Sequence, residues 1–89
     1  MVYYKILDEN NNIKGFIDLS DFRFYHPYRK RMFMTTELSK AQYVIFKGNY
    51  YTVEWLAEAP ELLGMYPKLN VQLSTEEEYK NYIKNEKLA

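Results

Sequence analysis

Two runs rich in apolar, aromatic and β-branched residues open the chain, Val2 to Leu7 and Ile13 to Asp18, and the polar stretch Asp8-Glu9-Asn10-Asn11-Asn12 separates them. Asparagine tolerates the left-handed backbone that a tight loop requires, so the two runs predict a hairpin. Leu19-Ser20-Asp21-Phe22 then breaks the pattern and reads as a turn. Pro27 interrupts the next stretch and biases His26 toward an extended conformation, after which Met32 to Thr35 reads as a short strand. Thr36 to Gln42 suits one helical turn. Tyr43-Val44-Ile45-Phe46 and Tyr50 to Trp55 flank Lys47-Gly48-Asn49, a clear second hairpin. Between Leu56 and Lys68, Pro60, Gly64 and Pro67 allow at most a short irregular helix over 57–64. Leu69, Val71 and Leu73 alternate with Asn70 and Gln72, the pattern of a half-buried strand.

The last segment is helical. Ser74-Thr75-Glu76-Glu77 has the spacing of a capping box, acids fill the first turn, and Lys84 and Lys87 lie near the end, which predicts a helix over 75–88. Tyr79, Tyr82 and Ile83 share one face of it, and Glu76 is placed to pair with Lys80. The elements add up to an α+β fold: a small antiparallel sheet of two hairpins plus a further strand, with a C-terminal α-helix, residues 1–89 forming a single small domain.

Composition narrows how such a chain holds together. At 89 residues it buries only about 60–65% of its unfolded surface. It has no cysteine, so disulfides, thiolate catalysis and cysteine zinc sites are excluded. Ten Tyr, five Phe and one Trp supply aromatic packing instead, and ten phenols are too many for a dry core, so some belong half exposed. No run reaches the roughly 18 apolar residues of a membrane span, and Met1-Val2-Tyr3-Tyr4-Lys5 does not open a signal peptide. A cytoplasmic protein without membrane partners is the expectation.

Catalytic chemistry is thinly represented. His26 is the single histidine, and Ser20, Asp21 and His26 are near in sequence, but a triad is a matter of geometry and not of spacing within one loop. Asp18, Asp21 and His26 fall short of a zinc ligand set and resemble no calcium loop. Gly15, Gly48 and Gly64 stand apart, so no phosphate cradle is present. Glu54, Glu58 and Glu61 read as solvated carboxylates, and Glu76, Glu77 and Glu78 as helix-capping acids. The expectation is a protein that is not an enzyme and uses neither cofactor nor metal.

One segment departs from this background. All three arginines fall within residues 22–34, where Arg23, Arg29, Lys30 and Arg31 alternate with Phe24, Tyr25, Tyr28 and Phe33, and no acid occurs between Asp21 and Glu37. Arginine and tyrosine supply planar charge, stacking faces and hydroxyl tips at low conformational cost, the mixture enriched where macromolecules grip one another. The candidate partner-binding residues are Arg23, Tyr25, Tyr28, Arg29, Lys30 and Arg31. The plainer alternative makes Arg29 to Arg31 solvated loop cations and Phe33 and Trp55 core residues. Nucleic acid is disfavoured as a partner, because twelve basic and twelve acidic residues leave no overall field. A homo-oligomer is a further alternative, in which the basic segment of one copy meets the Glu54 to Glu61 segment of another.

Taken together, Tyr3-Tyr4-Lys5-Ile6, Gly15-Phe16, Ala41-Gln42-Tyr43-Val44, Tyr50-Tyr51, Trp55-Leu56 and the Glu-Glu-Glu-Tyr run at 76–79 resemble small proteins encoded by phages and prophages of Gram-positive bacteria. The resemblance carries no catalytic signature. It implies a non-enzymatic interaction module in the bacterial host cell that binds and inhibits a host protein or defence complex, in the manner of anti-CRISPR proteins. A virion (tail) accessory protein, or a single-stranded nucleic-acid binder, is the alternative.

Overall fold

Asp8 organises the first turn of the chain. In the computed structural model, which describes residues 2–59 and 66–88, β1 (Tyr3–Leu7) and β2 (Ile13–Asp18) pair antiparallel across the expected loop. The Asp8 carboxylate accepts from the amides of Asn10 (2.8 Å) and Asn12 (2.9 Å), and Asn11 takes the left-handed conformation (φ 64°). Those amide bonds, Asn12 first, hold the Asp8 carboxyl below its ordinary value.

The second hairpin forms where its sequence predicts, but its second strand begins at Asn49 and ends at Val53 instead of running from Tyr50 to Trp55. β5 (Tyr43–Phe46) and β6 (Asn49–Val53) join through Lys47 and Gly48, both left-handed (φ 51° and 80°), the backbone that a two-residue hairpin turn requires. A further hairpin lies between the two, β3 (Phe22–His26) with β4 (Arg31–Met34). Leu19-Ser20-Asp21 is a 3-10 turn that leads into β3, and Asp18 caps it by accepting from the Ser20 amide while Asp21 accepts from the Asp18 amide. Thr36 to Gln42 yields one turn closed by Ala41 N–H to Glu37 C=O, 3.2 Å. Ala57 to Ala59 are not helical, and the rest of the irregular helix expected over 57–64 lies outside the described residues.

The strands make one seven-stranded sheet, β2-β1-β7-β6-β5-β3-β4, with β7 at Lys68–Ser74. This corrects the expectation of a small antiparallel sheet. The sheet is larger, and it is mixed, because β6 and β7 run parallel (Thr52 beside Lys68, Val53 beside Leu69). Parallel neighbours need a long crossover, which residues 54–67 supply. Sequence pattern finds every strand but β3, and does not say which edge a strand joins.

Alternation divides the sheet into two faces. Tyr4, Ile6, Ile17, Phe22, Val44, Val53 and Val71 form the core on the inner face, with Ala41 from the β4–β5 connection. Gly15 of β2 shows how far the sheet curls: a Cβ there would lie 2.7 Å from the Phe46 ring of β5, although β1, β7 and β6 stand between those strands. Glycine is required there by the close approach. Helix α1 (Glu76–Leu88) covers the opposite face of β1 and β2, where Tyr79 packs on Tyr3 and Phe16, and Tyr82 packs on Phe16. Its cap is Thr75, whose hydroxyl accepts from the Glu78 amide (3.1 Å), the first half of a capping box. Glu78 also takes the Ser74 hydroxyl and Lys5 (3.3 Å), which together hold its carboxyl below the ordinary value, and Lys80 pairs with Glu76 at 3.4 Å.

Candidate binding surface on the β3–β4 hairpin

Only the root of the β3–β4 hairpin is bound into the sheet. β3 meets β5 at Phe22 and Arg23, and the Gln42 side chain adds one more rung by accepting from the Tyr25 amide at 2.9 Å. Beyond that rung each strand has only the other beside it, and β4 is the edge of the sheet. The molecule measures 46 × 26 × 20 Å, and its radius of gyration of 13.9 Å exceeds the about 12 Å of a compact chain this long.

The turn at the hairpin's tip explains why Pro27 does not prevent a strand. Pro27 occupies the turn and not the ladder, so its missing N–H interrupts no pairing. Lys30 adopts the left-handed region (φ 54°), its amide donates to the His26 carbonyl (2.7 Å), and the Arg29 amide donates to His26 Nδ1 (3.1 Å). His26 Nδ1 therefore carries no proton in this arrangement. His26 itself stands at the end of β3, extended as the following proline predicts.

Strand alternation sorts the side chains. Phe24 is opposite Phe33 and His26 is opposite Arg31, so these four share the face continuous with Phe22 and the core, whereas Tyr25 and Met32 share the other. Phe24, His26 and Phe33 form an aromatic cluster with ring centres 5.8–6.5 Å apart. The guanidinium of Arg31 lies 4.8 Å from the centre of the Phe33 ring and that of Arg29 lies 5.7 Å from it. Tyr28 is 91% exposed and meets only the edge of His26 among the rings described. Phe24, His26, Arg29, Phe33 and Met34 line a shallow cleft of about 380 Å³.

The six sequence candidates thus separate into groups. Tyr28, Arg29, Lys30 and Arg31 cluster at the exposed tip. Arg23 stands at the root, where its guanidinium donates to the carbonyls of Ser20 and Phe22 (3.0 Å for the latter) and serves the backbone. Tyr25 is half-buried on the face away from the arginine-bearing cluster. Phe24, His26 and Phe33 are not among the six candidates, although the two-residue alternation on both sides of Pro27 is the signal that unites them.

Electrostatically the tip is unbalanced. Lys5, Lys40 and Lys80 each have a carboxylate partner, but no carboxylate among the described residues pairs with Arg29, Lys30 or Arg31. The other chemistry weighed in the sequence has local structural partners: the Ser20 hydroxyl donates to Asp18, Asp21 caps the 3-10 turn, and His26 accepts from the Arg29 amide. Ser20, Asp21 and His26 are not hydrogen-bonded to one another. No group of three or more potential metal ligands occurs among the described residues. No helix among them is long and apolar enough to cross a membrane. Against family models, curated proteins and solved structures, the chain finds no match.

Proposed function

We propose that the chain is a non-enzymatic, phage-type interaction module that grips a host protein or defence complex with the tip of its β3–β4 hairpin and inhibits it by occupying its surface. The observation that carries this reading is the tip itself: an exposed Tyr28 beside three cations that have no carboxylate partner among the described residues, two of them laid on Phe33. A hairpin turn held by His26 loses little conformational freedom on binding, which favours affinity. Tyrosine and arginine are the residue types that dominate binding energy at interfaces. The resemblance to small phage and prophage proteins supplies the setting, stoichiometric binding inside a bacterial cell.

The test compares tagged wild-type protein with the double variant R29A/R31A in pull-downs from a Gram-positive host lysate, with and without nuclease. The expected result is one host protein held at near-equal amount after nuclease treatment and lost by the variant, whose circular dichroism is unchanged. Retention by the variant removes the hairpin from the interface. Release by nuclease replaces the protein partner with nucleic acid, and a large self-assembled species without a partner replaces the inhibitor with a virion component.

A further inference from the structure

The cleft at the hairpin tip has a chemistry that specifies more than a manner of binding. Its floor is apolar, from Phe24, Phe33 and Met34, and Arg29 stands at its rim, with the Arg31 guanidinium against the same Phe33 ring. Two like charges held against one ring repel each other, and no carboxylate among the described residues pairs with them. An incoming anion relieves that repulsion and gains charge-assisted hydrogen bonds from two guanidinium forks.

The geometry points to an acidic protein segment as the occupant, one that seats an apolar or aromatic side chain on Phe24, Phe33 and Met34 while flanking carboxylates take Arg29 and Arg31. This rests on the reading of the hairpin as the binding surface. Two observations favour a carboxylate-bearing protein over a nucleic acid. Only three of the twelve basic residues lie at the tip, and twelve acids balance the chain as a whole, so there is no net positive field to follow a phosphate backbone. The cleft's volume, at the low end for a ligand site, suits one or two side chains.

The experiment is a titration of the ¹⁵N-labelled full chain, read by amide and arginine Nε–H shifts. Four probes are used: a capped pentapeptide of glutamates flanking a central phenylalanine, the same peptide with glutamines for glutamates, the same with alanine for phenylalanine, and a thymidine hexanucleotide. The acidic peptide is expected to shift residues 24–34 and the side chains of Arg29 and Arg31 at millimolar concentration, with binding at least about tenfold weaker for the glutamine peptide and weaker again than wild type for the alanine peptide. R29A/R31A abolishes the shifts. The inference is overturned if the glutamine peptide binds equally, if no shift reaches the hairpin, or if the oligonucleotide moves the same signals at lower concentration. Failure here with loss of the host protein by R29A/R31A in pull-downs leaves the hairpin as the binding surface and removes only the acidic occupant. Retention of the host protein by that variant removes both.

Discussion

The β1–β2 hairpin and the β3–β4 hairpin are built from similar material and put to opposite uses. β1 is enclosed: β2 and β7 flank it, Tyr4 and Ile6 enter the core, and Tyr3 packs under α1. Its charges are settled, with Lys5 on Glu78 and Asp8 on the amides of its own loop. β3 and β4 are anchored at Phe22, Arg23 and Gln42 and pair beyond that only with each other, with tip cations that have no carboxylate partner among the described residues. Buried packing is concentrated in the enclosed hairpin, and exposed cations and rings in the projecting one. In a domain this small the two demands are separated along the sheet.

Substitutions sharpen that comparison in descending order of effect. Phe22 is fully buried where the two regions join, and Phe22→Ala is expected to lower stability by about 3–5 kcal/mol, measured by urea unfolding. Phe33→Ala removes a half-buried ring and the seat of two guanidiniums, so about 1–2 kcal/mol is lost, while partner binding falls although no charge has changed. An equal loss of stability from Phe33→Ala and Phe22→Ala would show that the projecting hairpin is as much core as the root.

Acid probes the enclosed region. The Ser74 hydroxyl first, and Lys5 after it, favour the Glu78 carboxylate, so its folded value lies below the ordinary 4.5. The native state then binds the proton less readily than the unfolded chain, and the stabilisation is present above the unfolded value and lost as pH falls through the folded one. Glu78→Gln is expected to be less stable than wild type near neutral pH and to converge with it in acid, as read from urea midpoints. Parallel curves at all pH values would refute the linkage. The smallest effect on stability is that of R29A/R31A, within about 1 kcal/mol, because the tip contributes exposed cation–ring contacts alone.

Local chemistry was legible in the residues themselves. Asn10 to Asn12, Lys47-Gly48 and the Thr75-x-x-Glu78 cap mark their turns and helix because each signal acts within a few positions. β3 was not legible because Pro27 sits where a turn and a strand break look alike. The parallel pairing of β6 with β7 was hidden for another reason: it is decided by which edge of β6 is left open after β5 has docked. At the candidate surface the tip cations were visible and the ring beneath them was not. Arg23 counted as one of them in sequence, whereas its position after the 3-10 turn delivers it to backbone carbonyls.

β7 takes its place between β1 and β6, so the centre of the sheet joins segments far apart in the chain; the Lys5–Glu78 pair closes over 73 positions. Until β7 emerges from the ribosome, the Ile6 side of β1 and the Val53 edge of β6 have no strand to lie against, and each is an exposed template for another chain. Closing so wide a loop is slow relative to forming a hairpin. Newly made protein therefore passes through an interval with the three hairpins formed and the middle strand missing. Slow translation between Val53 and Lys68 would lengthen that interval, and with it the chance of aggregation.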